Sequence, residues 1–436
     1  SSRGPDDTTL ARIIHSVEEA QATRAPSQAF VDRFAAIYTP AVVGAAVLVA
    51  VGPPLVLGAA WGEWVYRALA LLVVACPCAL VISTPVTVVS ALAGGARRGI
   101  LIKGGLHLET AGRTRVVALD KTGTITEGRP AVVRVVPLNG AEPARVLALA
   151  AAVEARSEHP LAAAIVERAR SDGVALPSAT DTRAIPGRGA EARVDGARVL
   201  VGSERLFDDE GLDDAGATAA ARELERQGNT VVLVARDGGV LGAIALADRL
   251  RTGATAAIAS LRLAGIREVA MLTGDNAVTA EAVAGALGDG APTVLAGLLP
   301  DDKVDAVRRL REAHGPVLMV GDGINDAPAL AAADVGVAMG AAGTDVALET
   351  ADIALMADDL AKLPVLLRLA RKAEAIIRAN IAFALLVKAV FVVLAVTGVA
   401  TLWMAVLADM GASLLVIGNG MRALRVPQVP PVPQEA

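Results

Sequence analysis

Two kinds of hydrophobic pattern alternate along the chain. Phe34 to Gly62 and Ala68 to Ala96 each run for 29 positions without a charged side chain, enough in each case for a tilted membrane helix of roughly 20 residues. A third charge-poor stretch, Arg378 to Arg422, encloses only Lys388 and Asp409, and it is long enough for two helices that turn near Thr397 and Gly398. The pattern therefore predicts four spans in two hairpins. Between them, from Arg97 to Arg378, the apolar residues come in short runs closed by turns: VVALD before Lys121, EVAMLTGD ending at Asp275, and PVLMVGDGINDAPAL ending at Leu330. Short apolar runs ending in carboxylates suit the buried strands of an open parallel sheet, which is covered on both faces and takes ligands at its carboxyl edge.

Between the first of these units and the other two lies Glu127 to about Leu246, with its own signals. It contains the proline-started helix Pro160 to Arg170 and the strand pair EARVDGARVLVG, and it reads as an inserted domain. Thr8 to Asp32 is polar and helix-prone, with Leu10, Ile13, Ile14 and Val17 at helical spacing. The predicted class is α/β plus a helical membrane domain. Its order is a leading helix (1–33), a membrane hairpin (34–96), a doubly wound domain in two parts (97–128 and 247–366) interrupted by an α+β domain (129–246), a second hairpin (367–424), and a disordered proline-rich tail (425–436).

Composition sharpens this picture. Hydrophobic residues make up 54% of the chain while aromatic residues make up only 2%, an apolar excess that points to lipid as the solvent for part of it. Buried helices of a soluble protein are the alternative, but charge-free runs of this length with flanking arginines speak against them. Basic residues gather at Arg97, Arg98 and Lys103, at Arg368, Arg371, Lys372 and Arg378, and at Arg422 and Arg425, whereas the hairpin Gly62 to Arg67 is neutral and flanked by Trp61, Trp64 and Tyr66. This asymmetry places the middle and both ends in the cytoplasm, on the inner face of a plasma membrane. A net charge of -5 offers no basic face for nucleic acid. Both cysteines lie in one tripeptide, which is no disulfide framework, so a reduced pair is predicted. The chain begins at Ser1 without a signal peptide and is expected to be a piece of a longer one.

The motifs D120-K-T-G-T-I-T, T273-G-D and G321-D-G-I-N-D-A-P resemble, in order and across nearly the whole chain, those of P-type ATPases, ion pumps built on a haloacid-dehalogenase-like phosphorylation domain. The chemistry is sound on its own terms. A carboxylate is a weak nucleophile, yet it attacks a γ-phosphate when a divalent cation and a lysine neutralise the repulsion, since phosphoryl transfer is mostly positioning and electrostatics. Asp120 is the expected nucleophile, and Asp322 is expected to share a magnesium ion with it, hard oxygen ligands suiting that ion. The resemblance adds the carbonyl of Thr122 as a third ligand. It also gives Lys121, Gly274 and Asp275 to the catalytic loops, Thr273 and Lys303 to the phosphoryl oxygens, and Asn325 and Asp326 to the surrounding shell. A solvated lysine at a helix start is the other reading of Lys303.

In the inserted segment, E154-A-R-S-E-H-P, P186-G-R-G and G202-S resemble the nucleotide pocket of the heavy-metal branch of that family. Glu154, His159, Gly187, Gly189 and Gly202 are thereby assigned to ATP, with glycines admitting the purine and ribose and His159 stacking on or bonding to the adenine. Taken alone, His-Pro and Gly-x-Gly also describe a capped helix and a tight turn.

Cys76 and Cys78 flank Pro77 inside the second span. Residues two apart on an undisturbed helix point about 200° away from each other. Pro77 removes a backbone hydrogen bond and can turn both sulfurs and a freed carbonyl toward one interior point; a kinked helix with two buried thiols is the alternative. Lys388 and Asp409 are costly in lipid and should face the bundle interior. Two thiolates and a carboxylate sum to three negative charges, which a divalent ion and one ammonium balance. Thiolate ligation then selects a soft divalent metal, zinc, cadmium or lead, over magnesium or calcium. The Cys-Pro-Cys, LLVKAVF and ADMGASLL segments resemble the zinc, cadmium and lead-exporting branch, which implies Cys76, Cys78 and Asp409 as ligands and Lys388 as built-in counter-ion. A Lys388–Asp409 pair serving only packing stays open.

No Thr-Gly-Glu occurs in the chain. The resemblance implies that this dephosphorylation loop belongs to an actuator domain upstream, with further spans, in the same parent chain. The expected function is ATP-driven export of a soft divalent metal through an aspartyl phosphate. Copper(I) transport, a membrane-anchored phosphatase of the same superfamily, and a metal-binding scaffold are the alternatives.

Overall fold

The computed structural model describes residues 26–157, 159–185, 187–212, 214–288, 290–322, 326–340 and 350–426. Most of the expected leading helix, the proline-rich tail and Asn325 lie outside them. From Pro26 a single helix runs to Leu57. The second apolar stretch forms two helices, Trp61–Ala75 and Cys78–Ala96, broken at Cys76 and Pro77. The third and fourth spans are the helices Lys362–Val396 and Leu402–Gly420, with Gly398 at φ +77° in the turn between them. All four are long and apolar enough to cross a membrane.

The middle of the chain forms two sheets. Strands β1 (Ile100–Ile102), β2 (Val116–Asp120), β9 (Glu268–Leu272), β10 (Thr293–Leu295), β11 (Val317–Gly321), β12 (Val335–Met339) and β13 (Ile353–Leu355) make one, in the order β1-β13-β12-β11-β2-β9-β10. It is parallel except for β1 at its edge. Its strands are buried almost throughout, because helices cover both faces, and this is why they read as unbroken apolar runs. Strands β3 (Thr126–Pro137), β4 (Ala179–Ile185), β5 (Gly189–Val194), β6 (Ala197–Gly202), β7 (Thr230–Arg236) and β8 (Gly239–Leu250) make the other sheet, antiparallel in the order β3-β8-β7-β6-β5-β4. The EARVDGARVLVG pair is its β5–β6 hairpin. Asp195 and Gly196 both take positive φ there, the geometry of a two-residue turn whose twist matches its strands. The second sheet opens at Thr126 and closes at Leu250, which face each other in register, so chain enters and leaves it beside the β2 loop.

Candidate active site and membrane pocket

Parallel pairing brings the three motifs together. Asp120, the last residue of β2, is in register with Leu272 of β9 and so beside Thr273. On the other side Leu119 pairs with Val320, which carries Gly321 and Asp322 to the same edge. Residues more than 150 positions apart thus meet at the carboxyl ends of three adjacent strands.

Asp120 is buried, at 5% exposure, as are Thr273 and Asp326. The Lys303 ammonium donates to Asp120 Oδ1 at 2.6 Å and to Asp326 Oδ1 at 2.7 Å; Lys303 is itself largely buried, which removes the reading of a solvated helix-start lysine. Asp322 lies against the loop after β2. Gly123 there has φ +73°, a backbone angle that favours glycine, and a methyl group on it would stand 3.3 Å from Asp322 Oδ2, so the two loops are closely packed. Lys121 turns to Asp275 at 2.5 Å, and Thr122 and Gly274 lie in the loops beside them. The Thr273–Asp275 turn is held by main-chain bonds from Gly297 to Asp275 and from Leu298 to Thr273.

Burial first, then the nearby carboxylate of Asp326, raises the Asp120 carboxyl to about 7, against the opposing pull of Lys303; Asp322 adds to the rise. Burial works against the Lys303 ammonium, but Asp120 and Asp326 outweigh it and hold its pKa above the ordinary value. Two carboxylates therefore share the Lys303 ammonium, with the Asp322 carboxylate close enough to act on Asp120, a set of hard oxygen donors that fits a divalent cation of the magnesium type. Among the described residues no three His, Cys, Asp or Glu side chains converge on a single point, so such an ion would draw on main-chain or substrate oxygens as well.

Two residues absent from the motif reading organise the loop. Asp248 accepts from the Thr126 hydroxyl at 2.6 Å and from the Gly128 and Arg129 amides at 3.1 Å. Arg251 donates to the carbonyls of Gly123 at 2.7 Å and Thr124 at 3.0 Å. The signal for them was present in ALADRLR: charges at the end of an otherwise apolar strand.

In the second sheet's domain, Glu154 ends the helix Pro143–Glu154, and His159 caps the helix Pro160–Ser171, its Nδ1 accepting from the Leu161 amide at 3.3 Å. Ser157 joins them: it bonds the Glu154 carboxylate, and its Oγ accepts from the His159 amide at 3.3 Å. Burial raises the Glu154 pKa, partly offset by that serine. Gly189 and Gly202 face each other across β5 and β6. A methyl group on Gly202 would stand 2.4 Å from the Arg188 carbonyl, so the chain's own packing already requires glycine there. Gly187 lies in the preceding turn at φ +71°.

In the membrane half, the Lys388 ammonium donates to the carbonyl of Val74 at 3.3 Å, to that of Cys76, and to Asp409 Oδ1 at 3.4 Å. The break at Pro77 frees those two carbonyls, which is why a lysine can be held there in an apolar bundle. Lys388 and Asp409 border a cavity of about 10 Å³ that also touches Val74, Ala79, Ala384 and Ala412, room for one atom-sized guest. The expectation of a reduced cysteine pair is corrected: Cys76 and Cys78 are joined as a disulfide. With the helix interrupted between them, their Cα atoms stand 5.5 Å apart, within bonding reach. As bonded, the two sulfurs are not thiolate ligands, and coordination by both requires the reduced form.

A doubly wound sheet carrying an aspartate on its central strand, with lysine and further carboxylates on neighbouring loops, defines the haloacid dehalogenase-like hydrolases, and the model of that family matches residues 114–334. Over almost the whole chain the likeness is narrower. The probable cadmium-transporting ATPase of Staphylococcus aureus (strain MRSA252) is 48% identical over 426 residues, covering 97% of this chain and 58% of the relative. The zinc/cadmium/lead-transporting P-type ATPase of Escherichia coli (strain K12) is 50% identical over 422 residues, covering 97% and 56%. The crystal structure of a zinc-transporting PIB-type ATPase in its E2·Pi state superposes with a TM-score of 0.73 at 50% identity, covering 97% of this chain and 68% of that one. The chain belongs to the PIB-type ATPases, the metal-transporting P-type ATPases. It spans less than three fifths of the length of the curated relatives just named.

Proposed function

We propose that the protein of which this chain is part uses ATP to export a soft divalent metal ion, zinc, cadmium or lead, from the cytoplasm across the plasma membrane. The observation that carries the reading is the meeting of Asp120, Lys303, Asp322 and Asp326 at one sheet edge, in a chain whose membrane half holds Lys388 and Asp409 beside two cysteines. An oxygen of Asp120 attacks the γ-phosphorus of ATP. An aspartyl O–P bond forms as the bridging P–O bond to the β-phosphate breaks, and ADP leaves. Lys303 and Thr273 hold the transferring oxygens, and the ammonium lowers repulsion between carboxylate and phosphate. Asp120, Asp322 and the Thr122 carbonyl would hold magnesium, which supplies neutralising charge and orientation when bound.

Residues 97–128 and 247–366 act as the phosphorylation domain and 129–246 as the nucleotide-binding domain, with Glu154, His159, Gly187, Gly189 and Gly202 around the nucleotide. The soluble domains face the cytoplasm. The reduced thiolates of Cys76 and Cys78, with Asp409, take the metal, and Lys388 replaces its charge as it leaves. Hydrolysis of the aspartyl phosphate requires a water-positioning domain, which we place upstream in the parent chain.

The test is labelling by γ-labelled ATP in reconstituted membranes, with zinc or a chelator. Zinc-stimulated label on Asp120 that disappears in Cys76→Ala supports the pump. Label indifferent to zinc and to that substitution would overturn it in favour of a phosphatase, and absence of label would leave only a metal-binding scaffold.

A further inference from the structure

We propose that Glu225 and Asn276 are a positioning pair that fixes the angle at which the domain of the second sheet meets Asp120; the proposal rests on the ATP-driven pump reading above. That domain is joined along the chain to the parallel sheet only through β3 and β8, where Thr126 and Leu250 stand in register. Two neighbouring strands make a hinge, and a domain hung on a hinge can swing. A second junction lies away from it. Glu225 is on the last turn of the helix Ala215–Arg226, which belongs to the second sheet's domain, and Asn276 is the N-cap of the helix Ala277–Gly285, which belongs to the parallel-sheet domain. The Asn276 side-chain amide donates to Glu225 Oε1 at 2.7 Å, while its Oδ1 accepts from the Thr279 amide at 2.9 Å. One side chain thus starts its own helix and grips the other domain.

A buried bond seconds this exposed one. The Thr279 hydroxyl donates to the main-chain carbonyl of Asn229 at 3.1 Å, and both residues are buried. The Asn229 side-chain amide donates to the Leu224 carbonyl at 2.9 Å, which closes the turn between the helix Ala215–Arg226 and β7, and Gly228 in that turn lies against Ala282. The junction also borders the chemistry. Asn276 directly follows Asp275, whose carboxylate pairs with Lys121 next to Asp120, so domain angle and catalytic loop are set by consecutive residues. The side chains assigned to the nucleotide stand on other elements, Glu154 and His159 at helix ends and Gly189 and Gly202 on β5 and β6. Loss of the pair should therefore spare nucleotide affinity and disturb only how the γ-phosphate is presented. Transfer depends on in-line placement, and a misplacement of about 1 Å can cost roughly a hundredfold; with the Thr279 bond still in place, a smaller loss is expected.

The experiment uses the full natural chain in proteoliposomes with zinc. Rapid-quench labelling by γ-labelled ATP gives the maximal rate, and equilibrium binding of a non-transferable ATP analogue gives the affinity and shows that each variant is folded. Glu225→Ala should slow maximal labelling by roughly tenfold while analogue affinity stays within about twofold. Glu225→Gln keeps an acceptor for the Asn276 amide and should label at nearly the wild-type rate. Asn276→Asp keeps the helix cap but turns two carboxylates toward each other, and should be as slow as Glu225→Ala. Adding Glu225→Gln to it supplies an amide that donates to the new carboxylate, and should restore the rate to within about threefold of wild type. A wild-type rate in Glu225→Ala, a double variant as slow as Asn276→Asp, or a loss confined to analogue affinity would each overturn the role of the pair. A wild-type protein that takes no zinc-dependent label fails the pump reading itself.

Discussion

The carboxylate cluster at Asp120 and the pocket at Lys388 both bury charge, but they balance it in opposite ways. At the sheet edge two carboxylates share one ammonium, and burial, with the neighbouring carboxylate of Asp326, raises the Asp120 carboxyl. In the bundle one ammonium meets one carboxylate and two main-chain carbonyls, a neutral arrangement that lipid tolerates. The difference lies in what each place must change before it carries negative charge. The sheet edge already holds its carboxylates and needs only Asp120 to lose its proton, whereas the pocket gains negative charge only when its cysteines become thiolates.

The comparison breaks most visibly at Asp120. Asp120→Asn should abolish label from ATP, a loss of at least about a thousandfold, while zinc binding to the reduced cysteines persists; loss of both would mean the two sites are not separable. The same substitution should stabilise the protein at neutral pH. The folded pKa lies above the unfolded one, so the aspartate's unfavourable contribution is absent below the unfolded value of 3.8, grows as pH rises, and is complete above about 7. Thermal unfolding at pH 8 and pH 4 checks this: the gain, roughly 1–4 kcal/mol, belongs to pH 8.

Next in size is Lys303→Ala, which strands Asp120 and Asp326 beside each other and should lower the labelling rate by roughly a hundredfold. If Lys303 serves the nucleophile, the rate should also fall in the wild type as pH drops below about 7, by about tenfold per unit at saturating nucleotide. Rapid-quench labelling at pH 6 and pH 8 tests both. The smallest effect is expected in the membrane. Lys388→Gln keeps a donor but no charge, and should leave zinc-stimulated labelling intact while slowing zinc release by roughly tenfold; a chase of bound zinc after phosphorylation measures it. Unchanged release would reduce Lys388 to a packing partner of Asp409.

Much of the fold was legible because the two solvents write different patterns. Charge-free runs specified the spans, and apolar runs ending in Asp120, Thr273 and Asp322 specified parallel strands. Cys76 and Cys78 were legible as a place where a helix must break, but not as a bonded pair, because whether two sulfurs meet depends on the path of the chain around Pro77. Asp248 and Arg251 escaped notice for a related reason: each acts on a main-chain group of another segment, and a side chain's type does not name the carbonyl or amide it will meet.

The amino-acid order alone determined the three apolar stretches, the kinds of chemistry present and the spacing of the phosphate motifs, since these follow from local hydrophobicity and residue type. Only the tertiary structure decided that Lys303 reaches both Asp120 and Asp326 and that Lys388 fills the carbonyls left open at Pro77. Those are contacts across 23 to 314 residues of chain. Strand register and helix packing set them together, and no short window of sequence contains both partners.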